Sequence, residues 1–294
     1  MSFVVKKYRC HTASLTHYNA WYESSACGAV SAGSCPPKEK IVIYKETEIA
    51  GVRAAAAASA LVLQKLSEAV RPGLSTADLD HLAESFIRDS GGKSAFLGYN
   101  GYPGQICVSI NEEVVHGIGR ADRIIREGDL VSLDVGVTLA GYTGDNARTV
   151  SAGIPAQGVA AKLLEVTEES LFAGIAAAID GNCVNDISSA VEQVVKKAGF
   201  SVVRDLVGHG CGKKMHEEPE IPNFRCPGRT PILRAGMIIC IEPMVNIGTW
   251  RVVLDRKDRW TVRSADASLS AHFEHQILIT KDKPEILTVW QKTA

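Results

Sequence analysis

The stretch LVSLDVGVTLAGYTGDNARTV, residues 130–150, contains two strand-like runs that meet at Ala140 and Gly141. Runs of this kind joined by a two-residue turn predict a β-hairpin. Asp134 and Asp145 lie eleven residues apart across the turn, which places them opposite or diagonal on one face of the hairpin. A carboxylate inside an apolar run is costly to bury unless it is paired or coordinated. The hairpin therefore predicts that the two acids share an ion.

The hairpin belongs to a repeat with a constant offset of 108 residues along the chain. Asp134 corresponds to Glu242, and a second acid follows each, Asp145 in the first copy and Glu274 in the second. Other pairs at this offset are Gly73 and Gly181, Asp78 and Asp186, Gly91 and Gly199, and Gly128 and Gly236. A helix–helix–sheet unit used twice predicts an α+β fold. We expect an antiparallel sheet flanked by helices, with two pseudo-symmetric halves that place a metal site at the centre.

The order of elements is predicted to be the same in the two halves, about residues 45–150 and 157–285. Glycines, prolines and N-cap residues set the ends of two helices in each half. We expect helices over 46–70, 75–89, 157–179 and 185–198, and strands over 130–139, 142–150, near 202, over 237–242 and over 273–280. The halves together make one domain over 39–294, which follows an N-terminal extension over 1–38.

Composition and charge exclude several classes of protein. Lys and Arg total 32 against 33 for Asp and Glu, so no overall field attracts nucleic acid or an anionic membrane. No apolar run approaches the roughly 20 residues of a membrane-spanning helix. The eight cysteines are scattered without a CxxC pair, which favours reduced thiols in a cytoplasmic protein. We expect a monomer without nucleic-acid or membrane partners.

Residues 1–38 differ from the rest of the chain, and three interpretations stay open. Few acids and the early Lys6, Lys7 and Arg9 are compatible with a peptide that directs the chain to an organelle. The cysteines and histidines of this segment could form a zinc knuckle, although their spacing fits no standard pattern. A flexible, solvated tail is the simplest interpretation.

The four acids and His209 offer the ligands that a pair of divalent ions needs. Hard cations prefer oxygen, and two neighbouring cations need several negative charges to offset their repulsion. Mixed carboxylate and imidazole ligands suit Co, Mn, Fe or Zn. A water that bridges two such ions becomes a nucleophile, and a glutamate can pass its proton to a leaving amine. His116 and His216 flank this set in the sequence and are candidates to hold a substrate carbonyl or amide.

Five motifs in order resemble those of the type I methionine aminopeptidases. They are NEEVVHGIG (111–119), SLDVGVTLAGYTGDNART (132–149), GHGCGKKMHEEP (208–219), IEPMVN (241–246) and SLSAHFEHQ (268–276). The resemblance covers roughly residues 40–290 and implies the pita-bread fold in a catalytic metallopeptidase domain. It also implies hydrolysis of the initiator methionine from nascent polypeptides whose second residue is small. Contact with the ribosome is a further expectation that the sequence leaves open.

The resemblance also implies a role for each candidate residue. The implied ligands of two divalent ions are Asp134, Asp145, His209, Glu242 and Glu274, of which Asp145 and Glu274 bridge the ions. Glu242 would also handle protons, while His116 and His216 would contact the scissile amide and stabilise the intermediate. The implied methionine pocket consists of Tyr99, Tyr102, Cys107, Met215 and Trp260.

Three positions depart from the usual pattern of that family. Met215 stands where phenylalanine is usual, and its polarisable side chain still suits a thioether pocket. Asn146 and Gln276 stand where threonine is common, and we expect them to tune metal affinity.

Two other functions fit the same fold. A proline-directed aminopeptidase is disfavoured by the short N-terminal extension, and a non-catalytic binding homologue is disfavoured by the complete set of ligands.

Overall fold

A computed structural model describes residues 40–289, which form two pairs of helices on a broad antiparallel sheet. The α-helices in this range are α1 (Glu46–Ala69), α2 (Thr76–Asp89), α3 (Gly158–Ala177) and α4 (Val184–Lys197), and Tyr99–Gly101 forms a 3₁₀ helix. Each predicted α-helix is present, and its ends agree with the prediction to within two residues. The predictions made for residues 1–38 lie outside the described residues.

The strands of the described range lie in three sheets. They are β1 (Lys93–Ser94), β2 (Cys107–Ile110), β3 (Glu113–Val115), β4 (Leu130–Leu139), β5 (Tyr142–Ser151), β6 (Ser201–Val202), β7 (Gly208–Gly210), β8 (Glu217–Ile221), β9 (Ile238–Ile241), β10 (Met244–Asn246), β11 (Val252–Leu254), β12 (Val262–Ser264), β13 (Ser270–His272), β14 (Glu274–Leu278) and β15 (Glu285–Ile286). The large sheet has the order β1-β4-β5-β14-β9-β7-β8, with β2 also paired to β4 and β15 to β14. The smaller sheets have the orders β13-β10-β6 and β11-β12-β3. The predicted α+β architecture is confirmed.

The backbone reproduces the repeat of 108 residues. An isolated bridge joins Ser75 to Ile124 in the first half, and the corresponding bridge joins Cys183 to Ile232 in the second. Three glycine pairs at the same offset share left-handed φ angles: 92° at both Gly73 and Gly181, 78° and 83° at Gly91 and Gly199, and 81° and 94° at Gly128 and Gly236. The two halves therefore use the same turns to enter and leave the same elements.

Local signals in the sequence set the ends of these elements. Ala140 and Gly141 have φ angles of 50° and 82°, as expected of the tight turn that joins β4 to β5. At the start of α2, the Ser75 hydroxyl accepts a hydrogen bond from the Asp78 backbone N–H, and the Asp78 carboxylate accepts one from the Ser75 N–H. This capping box satisfies backbone donors that the first turn of a helix leaves unpaired.

Helix α1 packs against one face of the hairpin at very short range. A Cβ atom on Gly144 would lie 2.3 Å from the Ala55 carbonyl oxygen, so only glycine allows this approach. On the same face, the Ser59 hydroxyl donates a hydrogen bond to the Asn146 side-chain oxygen. Since successive side chains in a strand point to opposite faces, Asp145 points away from the helices. The fold thus leaves the acidic face of the hairpin available for a site.

Each half has its own buried cluster of apolar residues. Helices α1 and α2 pack over β4 around residues such as Leu63 and Leu133, and α3 and α4 pack over β9 around residues such as Leu171 and Ile239. By length and composition alone, α1 could cross a membrane, but half of its apolar window is buried in the fold. The long apolar face of α1 is therefore explained by packing on the sheet.

Some predicted strand ends differ from the structure. The strand predicted over 237–242 ends at Ile241. It ends there because Pro243, two residues further on, has no backbone N–H to donate to a neighbouring strand. Glu242 therefore lies just beyond β9 and not within it. The strand predicted over 273–280 is shorter and covers Glu274–Leu278.

Candidate metal centre and substrate pocket

The two halves meet where β5 pairs with β14, and the predicted ligands lie along this junction. Ala147 of β5 pairs with Asp134 on one side and with Glu274 on the other. Asp145 lies two residues from Ala147 and therefore on the same face. The pairing of His275 with Ile241 brings the next residue, Glu242, alongside Glu274. The sheet register alone thus aligns all four predicted acids.

The five predicted ligands form two overlapping groups. Oxygens of Asp134, Asp145 and Glu274 lie within 4.8 Å of one another. A second group, with the same limit of 4.8 Å, contains His209, Glu242 and Glu274. Glu274 belongs to both groups, and His209 Nε2 lies 3.7 Å from Asp145 Oδ2 and 3.4 Å from Glu242 Oε1. Two neighbouring cations that share carboxylates need this kind of arrangement.

His209 is oriented by the backbone. Its Nδ1 lies 3.0 Å from the Gly210 carbonyl oxygen, so this nitrogen carries the proton and donates it. The lone pair of Nε2 then points towards Asp145 and Glu242. A hydrogen bond from one ring nitrogen to a backbone carbonyl is the usual way to fix a metal-binding imidazole.

Burial makes the charged forms of these four acids costly when no cation is bound. Burial raises the pKa of Asp134 to about 7. Burial first, and neighbouring carboxylates second, raise the pKa values of Asp145, Glu242 and Glu274 well above their usual range. Among the described residues, one buried oxygen of each of these four acids accepts no hydrogen bond. Divalent cations would satisfy both the charges and the oxygens, so the residues fit a metal centre.

An apolar pocket lies directly beside the acids. All five residues of the predicted pocket belong to one cluster, in which Tyr102, Cys107 and Met215 are buried and Tyr99 and Trp260 are partly buried. Cys107 pairs with Asp134 across β2 and β4, which places one wall of the pocket next to the acids. The rings of Tyr102 and Trp260 pack edge to face at 5.2 Å. Phe96, Ala95 and Ile118 complete this cluster and were not predicted.

The two predicted catalytic histidines lie on loops at the edge of the acidic site. His216 has an exposed side chain whose ring lies 4.2 Å from that of His209, and its Nδ1 is 2.8 Å from the Tyr99 hydroxyl. His116 follows β3 and has a φ angle of 58°. A residue other than glycine in the left-handed region stores strain, which is common where a side chain is held for function. Burial first, and His216 second, lower the pKa of His116 to about 4, so its ring is neutral.

His272 is a candidate that the sequence analysis missed. It is 2 % exposed, and within residues 40–289 neither of its ring nitrogens has a hydrogen-bond partner. Its Nε2 lies 4.0 Å from Glu242 Oε2. Burial first, and His116 second, lower the pKa of His272 to about 3, so this imidazole is also neutral. Alternation along a strand could not have identified it, because His272 ends β13 and Glu274 begins β14, and these strands belong to different sheets.

The two unusual polar residues lie in different surroundings. Asn146 faces α1 and accepts a hydrogen bond from Ser59, so its side chain lies on the sheet face opposite the acids. Gln276 is buried and donates hydrogen bonds to the carbonyl oxygens of Thr143 and Cys211. Gln276 thus links β5 to the loop after His209, whereas Asn146 contributes to helix packing.

The sequence matches a known family of enzymes over most of its length. A model of metallopeptidase family M24 matches residues 50–281. The chain belongs to this family. Methionine aminopeptidase of Clostridium acetobutylicum is 48% identical over 249 residues, which cover 85% of this chain and 99% of that protein. Methionine aminopeptidase 1 of Bacillus subtilis is 45% identical, covering 84% of this chain and 99% of that protein. The resemblance to methionine aminopeptidases is confirmed.

Solved structures of M24 metallopeptidases confirm the pita-bread fold. The crystal structure of methionine aminopeptidase from Thermotoga maritima matches with a TM-score of 0.82 at 41% identity, covering 85% of this chain and 99% of that one. Prolidase from Pyrococcus furiosus matches with a TM-score of 0.69 at 22% identity, covering 85% of this chain and 66% of that one. The second match shows a shared fold only.

Proposed function

We propose that this chain is a methionine aminopeptidase that removes the N-terminal methionine from polypeptides whose second residue is small. The observation that carries the proposal is the position of two ligand groups, joined by Glu274, next to an apolar pocket. The relatives named methionine aminopeptidase, at 42–48% identity over most of the chain, support the same activity.

We propose that the acids and His209 hold two divalent ions. Asp134 would bind one ion, His209 and Glu242 the other, and Asp145 and Glu274 would contact both. When bound, such ions lower the pKa of water and polarise a substrate carbonyl. Co, Mn, Fe and Zn all suit this mixture of carboxylates and imidazole. The proposed bridging role of Asp145 is supported by its distance of 3.7 Å from His209.

The residues around the ions supply the remaining chemistry. Glu242 would take the proton from the attacking water and return it to the leaving amine, a role supported by its carboxylate lying beside His209 and His272. His216 lies beside His209, and His116 interacts electrostatically with His216, so either neutral imidazole would be placed to donate a hydrogen bond to the scissile amide or to the developing oxyanion. His272 contacts the Glu242 carboxylate at 4.0 Å, so it would orient this group.

The apolar cluster would bind the methionine side chain. Cys107 and Met215 offer polarisable sulfur, and the rings of Tyr102 and Trp260 give the pocket rigid walls. Because this cluster contacts Asp134 through Cys107, a side chain in the pocket places the first peptide bond of a substrate next to the acids. A pocket at the end of the site also explains why only the first residue would be released.

The expected partners are nascent polypeptide N-termini in the cytoplasm, with the ribosome as a possible docking partner for the N-terminal extension. We propose a monomer, because each chain contributes all five ligands from its own two halves. An organelle address in residues 1–38 remains an alternative to be tested by localisation of the full chain.

The test measures release of the first residue from Met-Ala-Ser and from Ala-Pro-Ala. The chain is first stripped with a chelator and then supplied separately with Mn, Co, Fe or Zn. We expect metal-restored cleavage of Met-Ala-Ser alone, which would also rank the metals. Cleavage of Ala-Pro-Ala alone would move the chain to the proline-directed enzymes, and cleavage of neither peptide would favour a non-catalytic binding homologue.

A further inference from the structure

Two buried cysteines lie directly behind the proposed metal centre. Cys211 comes two residues after His209, and Cys240 comes two residues before Glu242. Both are 0 % exposed and both are free thiols, and the Cys211 thiol donates to the Thr143 carbonyl oxygen. Cys240 Sγ lies 3.9 Å from Asp145 Oδ2. The proposed function uses neither thiol.

The thiols complete a third group of ligand atoms. One atom each from Asp145, His209, Cys211 and Cys240 lies within 4.8 Å of the other three. In a tetrahedral zinc site the metal–sulfur distance is about 2.3 Å and the metal–nitrogen distance about 2.0 Å, which separates neighbouring ligand atoms by roughly 3.3–3.8 Å. Side-chain shifts of about 1 Å would therefore convert this group into a closed tetrahedral site.

The chemistry of this group differs from that of the five proposed ligands. Thiolates select soft ions such as Zn²⁺, whereas carboxylates suit Mn²⁺. The two arrangements also share ligands, because Asp145 and His209 belong to both. An ion held by the two thiols would pull these shared side chains away from the neighbouring carboxylate groups.

We propose that Cys211 and Cys240, together with His209 and Asp145, form a second metal site that takes a thiophilic divalent ion and excludes the two-ion arrangement. The chain would then have two mutually exclusive metal states. Mn²⁺ occupies the carboxylate arrangement, and Zn²⁺ or Cd²⁺ reaches the thiol arrangement. Inhibition by zinc is the functional consequence, and this consequence rests on the proposed function, whereas the existence of the site does not.

X-ray absorption at the zinc edge tests the site without an activity measurement. The full-length, metal-free chain is reduced with a phosphine and given one equivalent of Zn²⁺. We expect two sulfur neighbours at about 2.3 Å from the zinc. Cys211→Ser and Cys240→Ser should each remove one sulfur neighbour, and the control Cys226→Ser, remote from the centre, should keep both.

Two results would overturn the site. The first is a zinc ion in the wild-type chain with nitrogen and oxygen neighbours only. The second is a sulfur signal that survives both Cys211→Ser and Cys240→Ser, since it must then come from other cysteines, including those of residues 1–38. The wild-type measurement alone decides the first point, so the test does not depend on the folding of the variants.

Competition between metals tests the functional consequence. Excess Zn²⁺ should inhibit the Mn²⁺-supported cleavage of Met-Ala-Ser, and Cys240→Ser should raise the inhibitory zinc concentration at least about tenfold, the usual minimum for loss of a group that supports a metal. If the wild-type chain and Cys240→Ser are inhibited at the same zinc concentration, the thiol site does not exclude the two-ion arrangement. A chain that cleaves neither peptide with any metal would refute the proposed function and leave the absorption result valid.

Discussion

Glu242 lies beside two histidines of the site. Its carboxylate lies 3.4 Å from His209 Nε2 and 4.0 Å from His272 Nε2, and burial raises its pKa well above the usual range. A carboxyl group with a raised pKa can hold a proton at neutral pH and release it during a reaction. This combination makes Glu242 both a proposed ligand and the proposed proton carrier.

Glu242→Gln should therefore lower kcat for Met-Ala-Ser by about 10³-fold or more, because the amide keeps the shape of the side chain but cannot carry a proton. Initial rates with the metal-reconstituted chain measure this effect. Glu220→Gln in β8 is a matched control that should leave the rate unchanged. Retention of more than a tenth of the wild-type rate by Glu242→Gln would contradict the proposed role.

A positioning role for His272 predicts a different pattern. His272→Ala should lower kcat by about tenfold, the typical effect of losing a group that orients a ligand, while the metal content of the chain stays the same. His272→Gln should restore most of the rate, since the N–H groups of the amide can take the place of the imidazole beside the Glu242 carboxylate. Loss of bound metal in His272→Ala would instead make His272 a ligand, and an unchanged kcat would exclude both roles.

The sequence predicts the acids of the site better than their surroundings. Asp134 and Asp145 could be predicted because a carboxylate inside an apolar strand is costly and therefore conspicuous. His272 has no such signal, since buried histidines are common, and its contact with Glu242 depends on how β13 and β14 lie next to each other. The orientation of Asn146 likewise depends on which face of β5 receives α1.

Helix α1 and strand β5 pack backbone against backbone at Gly144. The contact needs Gly144, because a Cβ there would lie 2.3 Å from the Ala55 carbonyl oxygen and 2.5 Å from the Ala56 Cα. Both neighbours are backbone atoms, which cannot move out of the way as a flexible side chain can. The helix must shift as a whole to admit even one methyl group.

Gly144→Ala should accordingly lower the free energy of unfolding by about 2–3 kcal/mol, the upper part of the range for overpacked cores. Urea denaturation followed by circular dichroism measures the change. Ala57→Ser, on the exposed side of the same helix, is the control and should change stability by less than about 0.5 kcal/mol. If Gly144→Ala loses as little stability as the control, α1 and β5 lie further apart than the structure places them.

Elements were predicted more accurately than the contacts between them. Breakers such as Gly73 and the capping box at Ser75 are local signals, so the ends of α1 and α2 could be placed within two residues. The short strands β11 and β12 were missed, because they lie in a long loop: β12 pairs with the distant β3, and within residues 40–289 β11 pairs only with β12. Tertiary contacts decide such strands, and a single sequence does not reveal them.

Folding of the whole molecule is coupled to its metal content. In the metal-free chain burial raises the pKa of Asp134 to about 7, whereas an unfolded Asp titrates near about 3.9. The protonated form therefore stabilises the fold fully below about pH 4, and this contribution is lost as the pH rises through about 7. Burial lowers the pKa values of three histidines, which are His209, His116 and His272. Their titration makes the fold less stable as the pH falls, but only below the unfolded pKa of about 6.5.

Above pH 6.5 the titration of the carboxylates therefore decides how stability changes with pH. The Tm of the chelated chain should fall by about 2 °C or more per pH unit between pH 6.5 and 8. Added Mn²⁺ should raise the Tm, and by a larger amount at pH 8 than at pH 6.5, because ligands bind metal in their deprotonated form. Scanning calorimetry at several pH values tests both statements. Asp134→Asn should make the slope of the chelated chain shallower, and a flat wild-type profile would argue against buried carboxylates.

Removal of residues 1–38 should leave the domain functional. The proposed ligands and the apolar pocket all lie within residues 99–274, and the Clostridium acetobutylicum relative is covered over 99% of its length by 249 residues of this chain. We expect the truncated chain to cleave Met-Ala-Ser within about twofold of the full-length rate and to keep the Tm of the full-length chain. Unfolding of the truncated chain would show that the extension is structural.

The junction at Ala147 also makes this chain a natural candidate for a split enzyme. Asp134 and Asp145 come from one half, and His209, Glu242 and Glu274 from the other, so a cut in the connection at 152–157 would distribute the ligands over two fragments. Catalysis would then report association, because it requires β5 of one fragment to pair with β14 of the other. A half-length ancestor would have met the same requirement by dimerising, and fusion of two copies would have made that encounter permanent.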